Sequence, residues 1–245
     1  MSEFHFEQAR VPVRADIPEA HAQVWSRIAG PGSWWTGRER VAIAGEVRKA
    51  LACAFCAERK EALSPNAVSG EHDTTGALPA PLVDAVHRVV TDPARLSKTW
   101  FDEVLASELS EGQYVEAMGV VVAVVSMDML CRGLGIPAEP LPGPAGGEPS
   151  RLRPAGAEHD RGFVAMLAPD AVGAENADLY DGGMAANVVR AMSLVPDAVR
   201  DLKTLSAAHY LPMGQVGNLE AERAIDRAQI ELLAGRVSSL NECFY

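Results

Sequence analysis

The apolar run at residues 112–134 constrains the fold more than any other stretch of the chain. Its most apolar part extends from Ala117 to Leu130 and is interrupted by Ser126 and Asp128. This part spans about 14 residues, whereas a helix needs roughly 20 apolar residues to cross a bilayer. Despite its many valines the full run is too long for one strand, and Gly135 ends it as a helix C-terminus would be ended. The run therefore predicts a buried core helix.

Most other segments also carry helical signals. Apolar residues recur at helical spacing near residues 18–28, 39–62, 81–92, 187–194 and 196–209, and a last long helix is predicted to begin at an Asn218 cap. Strand patterns are nearly absent, so the predicted class is all-α. Prolines and glycines crowd residues 137–154. We expect an N-terminal helical half over 1–136, a linker over 137–160 and a C-terminal half, incomplete in this chain, over 161–245.

The charge balance bears on partners and location. With 22 Lys+Arg against 33 Asp+Glu, the net charge of −11 argues against binding to a nucleic acid. The first residues lack the basic start and apolar run of a secretory signal. The chain is therefore expected to be cytoplasmic and to have no membrane partner. Its four cysteines are too few for a disulfide framework, so they point to redox chemistry or metal binding.

The first candidate site is the C-x-x-C of Cys53 and Cys56, predicted to lie on the helix over 39–62. On one helical face the two sulfurs are close enough to form a redox pair, to share a metal or simply to pack in the core. His72 and His87 are the nearest further metal ligands, but their distance along the chain matches no compact zinc-finger spacing. We therefore predict no metal and no cofactor here. His72, between Glu71 and Asp73, is a candidate proton relay.

The second candidate site lies near the end of the chain, where eleven residues separate Glu231 from Cys243. An offset of 115 residues aligns Glu231 with Glu116 and Cys243 with Asp128, and it aligns Cys131 with the position after Tyr245. This correspondence predicts an internal duplication into two related helical halves. Glu116 and Cys131 would then form a degenerate half-site.

Glu231, Cys243 and the sequence Ser-Ser-Leu-Asn-Glu-Cys-Phe-Tyr around the cysteine resemble the alkylhydroperoxidase D and carboxymuconolactone decarboxylase family. The resemblance covers residues 180–245 well and residues 95–136 more faintly. Residues 34–92, with Cys-x-x-Cys-Ala-Glu-Arg-Lys, look like the N-terminal part of longer relatives. The family is all-helical and typically oligomeric, and its peroxidases use Glu-x11-Cys-x-x-Cys-x-x-x-His. The resemblance thus implies an alkylhydroperoxidase-like fold and a homo-oligomer.

By position, the resemblance makes Glu231 the proton-relay acid and Cys243 the resolving thiol. The attacking residue would follow Tyr245 directly and the histidine would lie four positions further on, so this sequence contains neither. Similar proteins include selenoproteins with a Cys-x-x-selenocysteine site, and the selenocysteine codon UGA is ordinarily interpreted as a stop. We therefore predict that the chain is the front part of a longer selenoprotein, because a selenolate is ionised at neutral pH as a peroxidase nucleophile must be.

These observations predict a thiol- or selenol-dependent peroxidase that takes a small peroxide and a thiol reductant as partners. The first alternative is a lyase of the carboxymuconolactone decarboxylase type, which would need no redox-active cysteine. The second is a non-enzymatic helical oligomer in which Cys53 and Cys56 hold zinc with His72 or His87.

Overall fold

A computed structural model describes residues 4, 6–180, 186–220 and 223–240, and it confirms the all-α class. The helices in these residues are α1 Asp16–Ala29, α2 Gly37–Ala50, α3 Ala54–Glu61, α4 Ala80–Thr91, α5 Lys98–Ala106, α6 Glu111–Leu134, α7 Asn187–Arg190, α8 Pro196–His209 and α9 Arg227–Leu240. Across the described part of the chain, the only sheet is an antiparallel pair, β1 Ala157–Glu158 and β2 Met166–Leu167, in which Ala157 faces Leu167.

Helix α6 is the buried core helix predicted from the apolar run. Ser110 caps its start, since its hydroxyl accepts from the Gln113 N–H at 3.2 Å and the Gln113 side chain accepts from the Ser110 N–H at 2.9 Å. Gly135, at φ 71°, ends it in the left-handed conformation. Helices α2, α4 and α8 pack against it. By length and composition α6 could cross a membrane, but 61% of its most apolar window is buried, as in the core helix of a soluble protein.

The expected single helix over 39–62 is wrong, because the chain forms α2 and α3 with a break at residues 51–53. The prediction rests on a stripe of apolar residues four positions apart, Ile43, Val47, Leu51 and Phe55. In the structure Ile43 and Val47 are fully buried, but Leu51 is 51% exposed, so the buried face of α2 ends before the break. Cys53 is extended (φ −73°, ψ 119°) and occupies the N-cap of α3. The break turns the chain so that α3 leaves the line of α2 and packs mainly on α4.

Residues 137–154 contain no helix, as their prolines predict. The segment nevertheless lies against α1 and the loop that follows it. Pro140 O accepts from the Trp25 indole N–H at 2.9 Å, Ala29 O accepts from Ala145 N–H at 2.7 Å, and Gly32 O accepts from Ser150 N–H at 3.1 Å. The main hydrophobic core takes residues from both sides of this segment. The two halves expected from the sequence therefore share one core.

The predicted start of the last helix at an Asn218 cap is wrong, because this helix begins at Arg227. Asn218 lies in the connection before it, where its side chain accepts from the Glu220 N–H at 3.0 Å. Ile230 is the buried residue among those described on α9, whereas Leu232, Leu233 and Val237 are more than half exposed. Helix α6, its expected counterpart in the duplication, is packed on several sides. The two helices thus lie in different environments, and the detailed alkylhydroperoxidase-like fold stays a prediction.

Candidate metal centre

Four side chains from three parts of the chain converge beside α4. Cys53 caps α3, Cys56 lies in the first turn of α3, His72 comes from the connection between α3 and α4, and His87 lies on α4. One ligand atom from each lies within 4.8 Å of every other. Cys53, Cys56 and His87 are buried, and the His72 side chain is 11% exposed.

The distances fit a tetrahedral ion bound by two sulfurs and two nitrogens. Cys56 Sγ lies 3.2 Å from His87 Nδ1 and 3.4 Å from His72 Nδ1, and Cys53 Sγ lies 3.8 Å from His72 Nδ1. Zinc bonds of about 2.3 Å to sulfur and about 2.0–2.1 Å to nitrogen, at a tetrahedral angle, separate sulfur from nitrogen by about 3.6 Å. The three measured separations lie on either side of that value.

Both imidazoles are oriented by carboxylates on the side away from the cysteines. His72 Nε2 lies 3.0 Å from Asp84 Oδ1, and His87 Nε2 lies 2.8 Å from Glu46 Oε1. A proton on Nε2 that is donated to the carboxylate leaves Nδ1 with a free lone pair directed at the thiols. This carboxylate–histidine arrangement is the usual outer shell of a protein zinc site.

The two carboxylates are themselves held in place. Arg59 donates to Asp84 Oδ1 at 2.8 Å, and the Trp100 indole N–H donates to Oδ2 at 3.1 Å. Burial alone would raise the pKa of Asp84, but the hydrogen bonds from His72, Arg59 and Trp100 hold it well below its usual range. Glu46 is held in a similar way, because the Thr75 hydroxyl and N–H donate to its Oε2 at 2.6 and 3.0 Å. Both carboxylates are thus fixed by residues outside the four-residue cluster.

The connection that carries His72 is fastened to the start of α3. Asp73 Oδ2 accepts from the Ala54 N–H at 2.9 Å, and the Asp73 N–H lies 3.4 Å from Cys53 Sγ. The Phe55 ring meets the His72 ring edge-on, with centroids 5.1 Å apart. A side chain at Gly70 would place its Cβ 2.5 Å from the Phe55 ring, so only glycine lets the backbone pass there.

The protonation states bear on what the cluster can bind. Burial works against a charged His72, but hydrogen bonds to Asp84 and to both thiols outweigh it and raise the pKa of His72 to about 10. Burial lowers the pKa of His87, although Glu46 opposes this. Burial raises the pKa of the Cys53 thiol, yet the N–H groups of Cys56 and Asp73 outweigh it and lower that pKa. A metal that binds here must displace the His72 proton.

The sequence argument against zinc considered only compact spacing along the chain, and the structure brings the four residues together without such spacing. The ligands are assembled by packing α3 and its following connection against α4, which no local spacing rule describes. Sequence reasoning named His72 and His87 as alternative ligands but missed Glu46 and Asp84 altogether. The sequence contained one indication that Asp84 lies near the site: Asp84 and His87 are three residues apart and share a face of α4.

The other predicted site residues do not join this cluster. Glu116 is buried beside Arg40, whose Nε lies 3.4 Å from Glu116 Oε1, and it accepts from the Trp34 N–H at 2.5 Å. Cys131 lies in a separate small cluster with Phe6 and Ile136. Both residues are buried, Glu116 beside Arg40 and Cys131 among apolar side chains, and the degenerate half-site stays a prediction.

Glu231 is on the exposed side of α9, where it pairs with Arg227 at 2.8 Å and accepts a hydrogen bond from the Tyr210 hydroxyl. Its predicted partner Cys243 lies outside the described residues. Of the two residues predicted for the C-terminal site, the structure therefore describes only Glu231.

Comparison with known proteins adds no assignment: no family model, curated protein or solved structure matches the chain. The resemblance to the alkylhydroperoxidase D family stays a prediction.

Proposed function

We propose that this protein binds one zinc ion through Cys53, Cys56, His72 and His87. The observation that carries the proposal is the orientation of the two imidazoles, each with Nδ1 toward the thiols and Nε2 on a buried or half-buried carboxylate. A set of two sulfurs and two imidazole nitrogens in tetrahedral arrangement is typical of zinc. Two thiolates also neutralise the charge of the ion, which lowers the cost of burying it.

The role that fits this geometry is a structural one. Catalytic zinc sites keep one position for water or substrate, whereas here the protein supplies four donors. The ion would join α3 and the connection at residues 62–79 to α4, and through Glu46 to α2. These parts have few buried apolar residues of their own, since α3 buries Phe55 and Cys56. The metal would replace the hydrophobic contacts that this region lacks.

Metal analysis of purified protein tests the proposal. We expect about one zinc per chain in the wild type and in C131S, and loss of that zinc in C56S, because Cys56 is one of the four proposed ligands and Cys131 is not. C131S is a matched control, since both variants remove a buried thiol. Substitution with Co²⁺ should give the visible bands of tetrahedral cobalt and thiolate-to-cobalt charge transfer. Zinc-free wild-type protein that cannot be loaded, or equal zinc content in both variants, would refute the site.

A second proposal is thiol- or selenol-dependent peroxide reduction at Glu231 and Cys243, supported by the sequence resemblance. The structural observation that favours it is the hydrogen bond from Tyr210 to Glu231, which places a phenol next to the proposed relay acid. If a Cys and the downstream His segment are added after Tyr245, we expect peroxide consumption that depends on a thiol reductant and is lost in E231Q. Consumption that survives in both E231Q and C243S would dismiss this assignment.

A further inference from the structure

The two thiols of the zinc site are also placed to bond to each other. Cys53 is the N-cap of α3 and Cys56 lies three residues on, in its first turn. Residues in this relation have Cα atoms about 5–6 Å apart, within the range that a disulfide bridges. Their sulfurs belong to the group of donors that lie within 4.8 Å of one another. A disulfide can therefore form with little movement of the backbone.

Cys53 is buried, but the residues on both sides of it in the chain are exposed. Cys53 itself is 3% exposed, but its chain neighbours Leu51, Ala52 and Ala54 are all exposed. His72, whose Nδ1 lies 3.8 Å from Cys53 Sγ, is partly exposed. A molecule as small as a hydroperoxide needs only a slight opening at this edge to reach the sulfur.

We propose that a hydroperoxide oxidises Cys53 and Cys56 to a disulfide and thereby releases the zinc, so that the site acts as a peroxide-sensitive metal switch. This inference rests on the proposed zinc site. One thiolate attacks a peroxide oxygen; the S–O bond forms, the O–O bond breaks, and the departing alkoxide takes up a proton to become an alcohol. The second thiolate attacks the oxidised sulfur and expels hydroxide, which a second proton converts to water. Two electrons pass from the sulfurs to the peroxide.

The disulfide removes half of the ligands. Only His72 and His87 remain, and two neutral imidazoles cannot hold zinc as two thiolates and two imidazoles do. Loss of the zinc removes the link that joins α3 and residues 62–79 to α4. The hydrophobic core around α6 draws on α2, α4 and α8, whereas Cys53 and Cys56 belong to a separate small cluster with Phe55. Release should therefore loosen α3 and its following connection while the rest of the fold persists.

The experiment uses zinc-loaded full chain in a C131S/C243S background, where Cys53 and Cys56 are the remaining thiols of the four. Hydrogen peroxide is added in the presence of a chromophoric zinc chelator, and intact mass and limited proteolysis are followed in parallel. We expect one zinc released per disulfide formed, new cleavage confined to residues 51–79, and recovery of bound zinc after a dithiol and zinc are added. The same protein without peroxide is the control.

The outcomes separate the two proposals. If the background variant and the wild type both fail to bind zinc before peroxide is added, the zinc site is refuted and the switch with it. If zinc is bound but stays bound at peroxide concentrations that oxidise a free dithiol, the switch is refuted and the structural zinc site stands. Sulfinic acid in place of a disulfide, with zinc not recoverable by a dithiol, also overturns the switch.

Discussion

At the scale of single residues, the metal centre depends on side chains that would never touch the ion. Glu46 is fully buried on α2 and accepts from the His87 imidazole, while the Thr75 hydroxyl and N–H donate to its other oxygen. Its carboxylate sets which nitrogen of His87 faces the thiols. It also increases the electron density that the imidazole offers to a metal.

Replacement of Glu46 by glutamine tests this role. E46Q keeps an oxygen that can accept from His87 but removes the negative charge. We expect zinc affinity to fall about 10-fold or more, measured by competition with a chromophoric chelator, because outer-shell partners typically contribute 10–100-fold. E103Q, which alters an exposed glutamate on α5, should leave the affinity unchanged. Equal affinities in E46Q and E103Q would show that Glu46 has no influence on the ligand.

A second residue-scale prediction concerns Asp201, which is 4% exposed on α8. Burial raises its pKa from 3.8 to about 6, although the Arg27 and Arg40 guanidinium groups oppose this; Asp197 adds a small repulsion. Because the folded state holds the proton more tightly, this contribution to stability is complete below pH 3.8 and is lost as the pH rises through 6.

The size of that loss follows from the two pKa values and is roughly 2.4 kcal/mol between pH 4 and pH 7. Chemical denaturation across this interval should therefore show a shallower pH dependence in D201N than in the wild type. D102N, at an exposed position on α5, is the control. Identical pH profiles for D201N and the wild type would mean that Asp201 is not the titrating group.

At the scale of elements, helix ends are specified locally in some places and by packing in others. The start of α2 is local: Thr36 accepts from the Glu39 N–H at 3.3 Å, and Glu39 accepts from the Thr36 N–H at 2.8 Å. This reciprocal pair satisfies two N–H groups that the helix itself leaves unbonded.

Loss of the Thr36 hydroxyl should destabilise the protein by about 1 kcal/mol, the usual contribution of an N-cap. We expect T36A to lower the free energy of unfolding by that amount in urea, whereas T36S, which retains the hydroxyl, should stay close to the wild type. If T36A and T36S unfold alike, the cap makes no contribution.

The difference between features specified locally and features specified by packing explains what the sequence could predict. The apolar run of α6 and the proline at the start of α8 mark those helices within the sequence itself, and both are where expected. The break between α2 and α3 is not marked, because the stripe continues to Leu51 and Phe55 and only packing decides that Leu51 faces solvent. His72 and His87 could be named from the sequence as candidate metal ligands, because imidazole commonly binds zinc. Their convergence with Cys56 depends on how α3 packs on α4, which no local pattern encodes.

At the scale of the whole molecule, one core joins the two sequence halves, and the proposed zinc site lies at its edge. Asp128, which the duplication aligns with Cys243, illustrates this integration. It receives two hydrogen bonds from Arg48, at 2.7 and 2.8 Å, and so links α6 to α2. A position expected to mark a lost catalytic residue serves here to hold two core helices together.

His87 lies on the core helix α4, and the core helix α2 orients it through Glu46, so global unfolding destroys the proposed zinc site even though the core does not need the ion to fold. Bound zinc should therefore raise the free energy of global unfolding. For apo protein titrated with zinc above its dissociation constant, each tenfold increase in free zinc should add about 1.4 kcal/mol. For a chain of this size that raises Tm by roughly 3–6 °C, measured by calorimetry. C56S should show no such dependence, and C131S should behave as the wild type does. A Tm in wild-type protein that is insensitive to zinc would contradict the coupling.

The order of the ligands along the chain has a consequence for synthesis. Cys53, Cys56, His72 and His87, together with the carboxylates of Glu46 and Asp84, all precede α6 and α8. The complete set of donors therefore leaves the ribosome before α6 and α8 do. Zinc bound as proposed would close this part of the nascent chain first, and α6 would then fold onto helices that the ion already holds together.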